Sequence, residues 1–167
     1  GKDALGFAAS HFITFEGSKC ERLHGHNFRI AVDLEGPLNE DSLVFDFVVL
    51  KRMLVEILGE LDHRVLLPLH SSRIRLVHDA RAVNVQCGEK NWVFPREDCA
   101  LLPLENTTAE LLAKWIADRV QGEMTRRALL PLALPRIVRV EVEQAGPVHA
   151  VIRADGSRQL GHGHENG

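Results

Sequence analysis

The sequence predicts an α+β fold, an antiparallel sheet covered on one face by two helices, with a β-hairpin inserted between the helices. Three observations predict it. Apolar and polar residues alternate near both ends of the chain, two inner stretches repeat apolar residues at three and four, and glycine and proline breaks separate these segments. With 167 residues, 45% of them hydrophobic and 26% charged, the chain has the length of one domain and the composition to bury a core. The element order reads ββα, insert, αββ.

Leu5 to Phe15 is β-branched and aromatic enough for a first strand, and Glu16-Gly17-Ser18-Lys19 breaks it as a turn. From His26 to Leu34 alternation puts Phe28, Ile30, Val32 and Leu34 on one face and Asn27, Arg29 and Asp33 on the other, which predicts an antiparallel partner. Gly36-Pro37 ends that strand. Asp46 is placed to cap a helix whose apolar stripe is Val49, Leu50, Met53, Leu54, Ile57, Leu58 and Leu61. Residues 68–104 form the insert, in which Ala82 to Cys87 and Trp92 to Phe94 read as a hairpin closed by Pro95. Thr107 or Thr108 caps the second helix, which carries Leu111, Leu112, Trp115, Ile116 and Val120, with Glu110 near its positive end. Pro131 and Pro135 bound its exit. Ile137 to Glu143 alternates cleanly, and His149 to Arg153 returns as its hairpin partner. Residues 1–154 are thus expected as a single domain, and the polar, glycine-rich 155–167 as a frayed tail.

Composition also excludes some functions. The 20 Lys+Arg set against 23 Asp+Glu leave a net charge of -3 with no basic stretch, so neither a nucleic acid nor an anionic membrane finds its electrostatic footprint. Small ligands are the expected partners. No apolar run approaches the roughly 20 residues needed to cross a bilayer, and Gly1 to Leu5 has no apolar signal-peptide region, which predicts a cytoplasmic protein.

Nine histidines are the compositional oddity. His24-Gly25-His26 places two imidazoles on one face of a strand, within reach of one ion about 2 Å from each nitrogen. If the first strand pairs antiparallel with this one, His11 becomes the natural third ligand, and a three-histidine site leaves a position open for substrate, as catalytic zinc requires. Spacing alone leaves a second reading open, imidazoles solvated on a strand. His162-Gly163-His164 repeats the tripeptide in the tail, where no scaffold orients it.

Cys20, Cys87 and Cys99 lack CxxC spacing and are read as three individual thiols. Cys20 lies four residues before His24, beside Lys19 and near Arg22, where positive charge favours a thiolate that could act as base or nucleophile; the residues by themselves favour a small, partly buried loop thiol with no such role. Cys87 and Cys99 read as packing residues or surface thiols. Asp62-His63 is a candidate proton relay, or a helix-terminal imidazole beside an exposed acid. Glu143 shares a face with Glu141, opposite Val140 and Val142. Its carboxylate could take both N–H groups of a pterin or guanine edge, or be solvated.

Taken together, Phe7-Ala8-Ala9-Ser10-His11, Cys20-Glu21-Arg22-Leu23-His24-Gly25-His26-Asn27-Phe28, Asp46-Phe47, Leu61-Asp62-His63, Asn106-Thr107-Thr108-Ala109-Glu110-Leu111-Leu112-Ala113 and Val142-Glu143 follow one another in a familiar order. The chain resembles the 6-pyruvoyl/6-carboxytetrahydropterin synthase family over most of residues 5–153. The resemblance implies a T-fold, a four-stranded antiparallel sheet with two helices on one face, assembled into an oligomeric barrel. The assembly is commonly a homohexamer of two trimers with active sites between subunits. It implies Zn2+ on His11, His24 and His26, Cys20 as catalytic thiol, Asp62 with His63 as relay, Glu143 as pterin anchor, and Thr108 and Glu110 lining the pterin pocket. The implied substrate is 7,8-dihydroneopterin triphosphate. The Cys20-to-His24 spacing looks more like the bacterial 6-carboxy enzymes, which also release acetaldehyde, than the 6-pyruvoyl enzymes. Two departures stand out: the long insert, and Leu67 where an asparagine often follows the Asp-His-x-x-Leu run.

Overall fold

The β-branched and aromatic run that predicts the first strand reaches Phe15, but the strand itself stops at His11 and residues 12–13 leave it. In the computed structural model, which describes residues 5–17, 19–127, 136–144, 148–153 and 158–162, β1 spans Leu5–His11. The short strands β2 (Thr14–Phe15) and β3 (Lys19–Cys20) then pair with each other as a separate two-stranded ribbon. β4 (His24–Glu35) starts two residues before its predicted beginning. It pairs antiparallel with β1, His11 opposite His24 and Ala9 opposite His26. The pairing is close at Gly6, where a Cβ would stand 2.3 Å from the Phe28 carbonyl oxygen, so only glycine fits between the two backbones.

Helix α1 (Phe47–Gly59) begins where Asp46 accepts hydrogen bonds from the amides of Val48 and Val49, satisfying two orphan donors of the first turn. Leu50, Met53, Leu54, Ile57 and Leu58 form its buried stripe. Helix α2 (Ala109–Arg127) is capped by Thr108, whose Oγ1 accepts from the Leu111 amide. It buries Leu112, Ala113, Trp115, Ile116, Val120 and Met124. The two helices cover the same face of the sheet, against Phe7, Ala9, Phe28, Ile30, Val140 and Val142. Each buried side chain of this size contributes about 1.5–3 kcal/mol, so the core is a sufficient account of why the helices stay on the sheet. Arg119 of α2 also binds Glu60, at the end of α1, through two nitrogens at 2.7 and 2.5 Å.

The sheet is larger than the four antiparallel strands expected. After α1 the chain forms β5 (Arg64–Pro68), then the insert strands β6 (Arg75–His78), β7 (Ala82–Cys87) and β8 (Lys90–Pro95), then β9 (Cys99–Leu102). Beyond α2 come β10 (Arg136–Gln144), β11 (Val148–Arg153) and β12 (Arg158–His162). The main sheet has seven strands in the order β12-β11-β10-β4-β1-β5-β9. It is mixed, because β5 runs parallel to both β1 and β9. The inserted hairpin is therefore the three-stranded sheet β6-β7-β8, and the insert's last residues rejoin the main sheet. A second apolar cluster, built from Phe12, Leu67, Ile74, Val83, Val85, Cys87 and Cys99, welds insert to sheet. Leu67, the departure from the family pattern, is one of its fully buried members. Arg158–His162, expected in a frayed tail, pairs with β11 instead. Gly163 and His164, the rest of the second His-Gly-His, lie outside the described residues, as do Pro131 and Pro135. Among the described residues, no helix is long and apolar enough to cross a membrane.

Candidate metal and active site

Strand alternation and register together build the histidine cluster. His24, His26 and Phe28 share the helix-facing side of β4, and His11 joins them from β1 across the ladder. The ligating nitrogens of His11, His24 and His26 all lie within 4.8 Å of one another. The rings stand edge to face, at centroid separations of 4.8 to 5.3 Å, and Phe28 closes the apolar floor beneath His11 and His26.

Neighbouring carbonyls hold two of the rings. His11 Nδ1 lies 2.8 Å from the Thr107 carbonyl and His24 Nδ1 2.8 Å from the Arg22 carbonyl. Each Nδ1 therefore carries a proton and donates it, which directs Nε2 of each ring toward the shared centre as the nitrogen available to a metal. His11 is only 2% exposed. Burial pushes its pKa down to about 4, partly opposed by the Thr107 bond, so the ring is neutral at physiological pH. Burial and the nearby His24 also lower His26. Three convergent imidazoles, two of them oriented by backbone carbonyls, fit a divalent ion of the zinc type, and as a set of three they leave a coordination position open.

Thr107 is a positioning residue that sequence spacing offered only as a helix cap. Fully buried, it donates from Oγ1 to the Phe12 carbonyl while its own carbonyl receives His11. Asn106 braces the same junction, its amide group bonded to both backbone groups of Thr14.

Glu21 is the functional candidate that sequence reasoning passed over. Its Oε2 stands 3.8 Å from His24 Nε2 and accepts a hydrogen bond from the Ile13 amide at 3.2 Å. The available signal was its place three residues before His24, inside the quoted Cys20-to-Phe28 run.

The three cysteines are not three individual thiols. Cys20 is joined to Cys87 by a disulfide across a sequence separation of 67, and Cys99 is free and buried. The reason is the insert, which folds back so that the end of β7 meets the start of the histidine segment. Its hairpin also sends Lys90 Nζ to the Cys20 and Glu21 carbonyls, at 2.7 and 3.1 Å, and stacks Trp92 on Phe12.

Asp62 and His63 do bond directly, Oδ2 to Nδ1 at 2.9 Å. Adjacent residues reach each other here because His63 takes a left-handed backbone, φ +56°, with its amide donating to the Ala8 carbonyl. The Ala8 amide in turn donates to Asp62 Oδ1, and this bond, with the His63 contact, holds the carboxyl below its ordinary pKa. The His63 side chain is 82% exposed. Glu143 stands opposite Arg29 on the sheet face away from the helices, since Val140 and Val142 occupy the helix side. Thr108 is the cap of α2 and Glu110 lies in its first turn, near the Thr107 anchor of His11.

Comparison with known proteins first supplies the class. The chain superposes on the crystal structure of 6-pyruvoyl tetrahydropterin synthase from Plasmodium vivax with a TM-score of 0.73 and 25% identity, over 95% of this chain and 91% of that one. The fold is that of the T-fold tetrahydropterin synthases. A family model described as 6-pyruvoyl tetrahydropterin synthase matches residues 2–154, and the chain belongs to this family of enzymes. A relative from Pyrococcus horikoshii, provisionally named 6-carboxy-5,6,7,8-tetrahydropterin synthase, is 37% identical over 115 residues, 68% of each chain. Another, the dihydroneopterin monophosphate aldolase of Pyrococcus furiosus, is 40% identical over 118 residues, 71% of each chain.

Proposed function

We propose that the chain is a zinc-dependent synthase that converts 7,8-dihydroneopterin triphosphate and one water to 6-carboxy-5,6,7,8-tetrahydropterin, with release of acetaldehyde and triphosphate, as 7-deazaguanine (queuosine) synthesis requires. The observation that carries this reading is the convergence of His11, His24 and His26, two of them oriented by backbone carbonyls, beside the Cys20-Glu21 segment. When bound, zinc supplies Lewis-acid polarisation of a substrate hydroxyl, which acidifies the neighbouring carbon–hydrogen bond. In the reduced chain, Cys20 as thiolate takes the proton from that carbon. His63, oriented by Asp62, moves a proton at the other side-chain carbon, and triphosphate leaves by elimination. Glu143 receives the pterin's ring N–H and amino group, with Thr108 and Glu110 along the pocket. A homohexamer of two trimers, its sheets joined into a barrel, would put the exposed His63 of one subunit beside the histidines of the next.

A second reading is favoured by one observation, the Glu21 carboxylate 3.8 Å from His24. A carboxylate there can deprotonate a side-chain hydroxyl and drive carbon–carbon cleavage of a dihydroneopterin phosphate, the reaction type named by the Pyrococcus furiosus relative. Incubating the zinc-loaded protein with 7,8-dihydroneopterin triphosphate and identifying products by mass separates the two. The expected products are 6-carboxytetrahydropterin and acetaldehyde. A 6-pyruvoyl product would indicate elimination alone, and a 6-hydroxymethyl-dihydropterin with a phosphorylated two-carbon aldehyde would indicate cleavage. No turnover with zinc and pterin bound would leave a binding protein.

A further inference from the structure

The disulfide between Cys20 and Cys87 ties the thiol proposed as base to a strand that belongs to the insert. Two noncovalent contacts hold the same pieces together: Lys90 on the Cys20 and Glu21 carbonyls, and Trp92 stacked on Phe12 at 4.6 Å. Opening the disulfide therefore frees the sulfur without undocking the insert or displacing Glu21. Cys20 is the partly exposed end of the bond and Cys87 the buried end, so a small thiolate from solvent reaches the Cys20 sulfur first. The neighbouring Cys99 is 3% exposed, donates to the Pro95 carbonyl and is kept protonated by a thiol pKa that burial raises. It is a poor competitor in exchange.

We propose that the Cys20–Cys87 disulfide is a redox latch on the active site: closed, it withdraws the Cys20 thiol and leaves Glu21 as the proton acceptor beside the histidines; open, it restores the thiol. This rests on the reading that Cys20 and Glu21 both serve the histidine site. The exchange balances with two equivalents of a small thiol such as glutathione. The first thiolate attacks Cys20 Sγ, Cys87 leaves as a thiolate and is protonated. The second thiolate then attacks the small-molecule sulfur of the mixed disulfide and Cys20 leaves as a thiolate, giving two protein thiols and one small-molecule disulfide, a transfer of two electrons and two protons.

The test uses the full-length zinc-loaded protein, equilibrated in a series of reduced-to-oxidised glutathione ratios. Disulfide content is read by alkylation and peptide mapping, and both product types by mass. The expected result is a Cys20–Cys87 peptide in the oxidised samples, with synthase product falling on the order of 100-fold as that peptide appears, the loss of a general base. Any product of carbon–carbon cleavage is expected to stay constant across the series. Cys87→Ala should hold the synthase rate at the reduced level at every ratio; the redox series on the unmodified protein keeps the test decisive if that variant folds poorly. Absence of the 20–87 peptide under oxidising conditions, or an unchanged synthase rate while it forms, overturns the latch. Full synthase turnover by Cys20→Ala would instead overturn the underlying reading of the site, and the latch with it.

Discussion

Burial of His11 against Phe28 and Thr107 makes its ring a ready ligand and also a liability in acid. In the metal-free protein its folded pKa of about 4 lies below the ordinary 6.5, so the unfolded chain takes up the proton first as pH falls. Stability is complete above 6.5 and is lost progressively down to about 4, in total by roughly 3 kcal/mol. Urea midpoints of chelator-treated protein should fall across that window and fall less in His11→Gln; equal slopes in the two proteins would show that another group is responsible. For the metal itself, His24→Ala should abolish stoichiometric zinc, whereas Arg22→Ala, which keeps its backbone carbonyl on His24 Nδ1, should retain it; elemental analysis after gel filtration reads both. The histidines were legible in the sequence because strand alternation and antiparallel pairing are periodic rules, and His11, His24 and His26 obey both. Glu21 was not, since it follows a two-residue strand at a bend where no period announces which way a side chain points. Nor was the partner of Cys20, because a bond across 67 residues depends on how the insert folds back.

Helix α1 was readable from its stripe and from Asp46, and the structure uses that cap as expected. Asp46→Ala should cost about 1 kcal/mol and leave zinc content unchanged, measured by denaturant titration and elemental analysis. The β1-β4 ladder offers a harsher change. Gly6→Ala would push a methyl to 2.3 Å from the Phe28 carbonyl oxygen, a backbone atom that cannot swing aside. The strands must part, with an expected loss of about 1–3 kcal/mol and, because His11 and His24 depend on that register, weaker zinc binding. Retained stability with retained zinc would show that the ladder yields more easily than its spacing indicates. The strands β5 and β9 were illegible for a different reason. Each is short, fully or partly apolar and without alternation, and their parallel pairing joins segments separated by the whole insert sheet. Local pattern cannot specify a partner that distant.

At the scale of the whole molecule, two apolar clusters among the described residues divide the work: one between the helices and the sheet, the other between the sheet and the insert. The disulfide closes a loop of 67 residues around the second, and in chain-entropy terms such a link stabilises by roughly 4 kcal/mol. Reduction should lower the thermal midpoint by several degrees while leaving the far-ultraviolet dichroism at room temperature intact. An unchanged midpoint would mean that the insert is held by its packing alone. The same division has an optical consequence. The chain has two tryptophans and no tyrosine. Trp115 lies in the first cluster beneath the Arg119 guanidinium, and Trp92 lies against the second, stacked on Phe12. Its intrinsic fluorescence thus carries one reporter for each half. With Trp115→Phe the remaining emission follows the insert, and with Trp92→Phe it follows the helices. Coincident unfolding curves would describe one cooperative unit, whereas an earlier Trp92 transition would identify the insert as a separately melting cap over the histidine site.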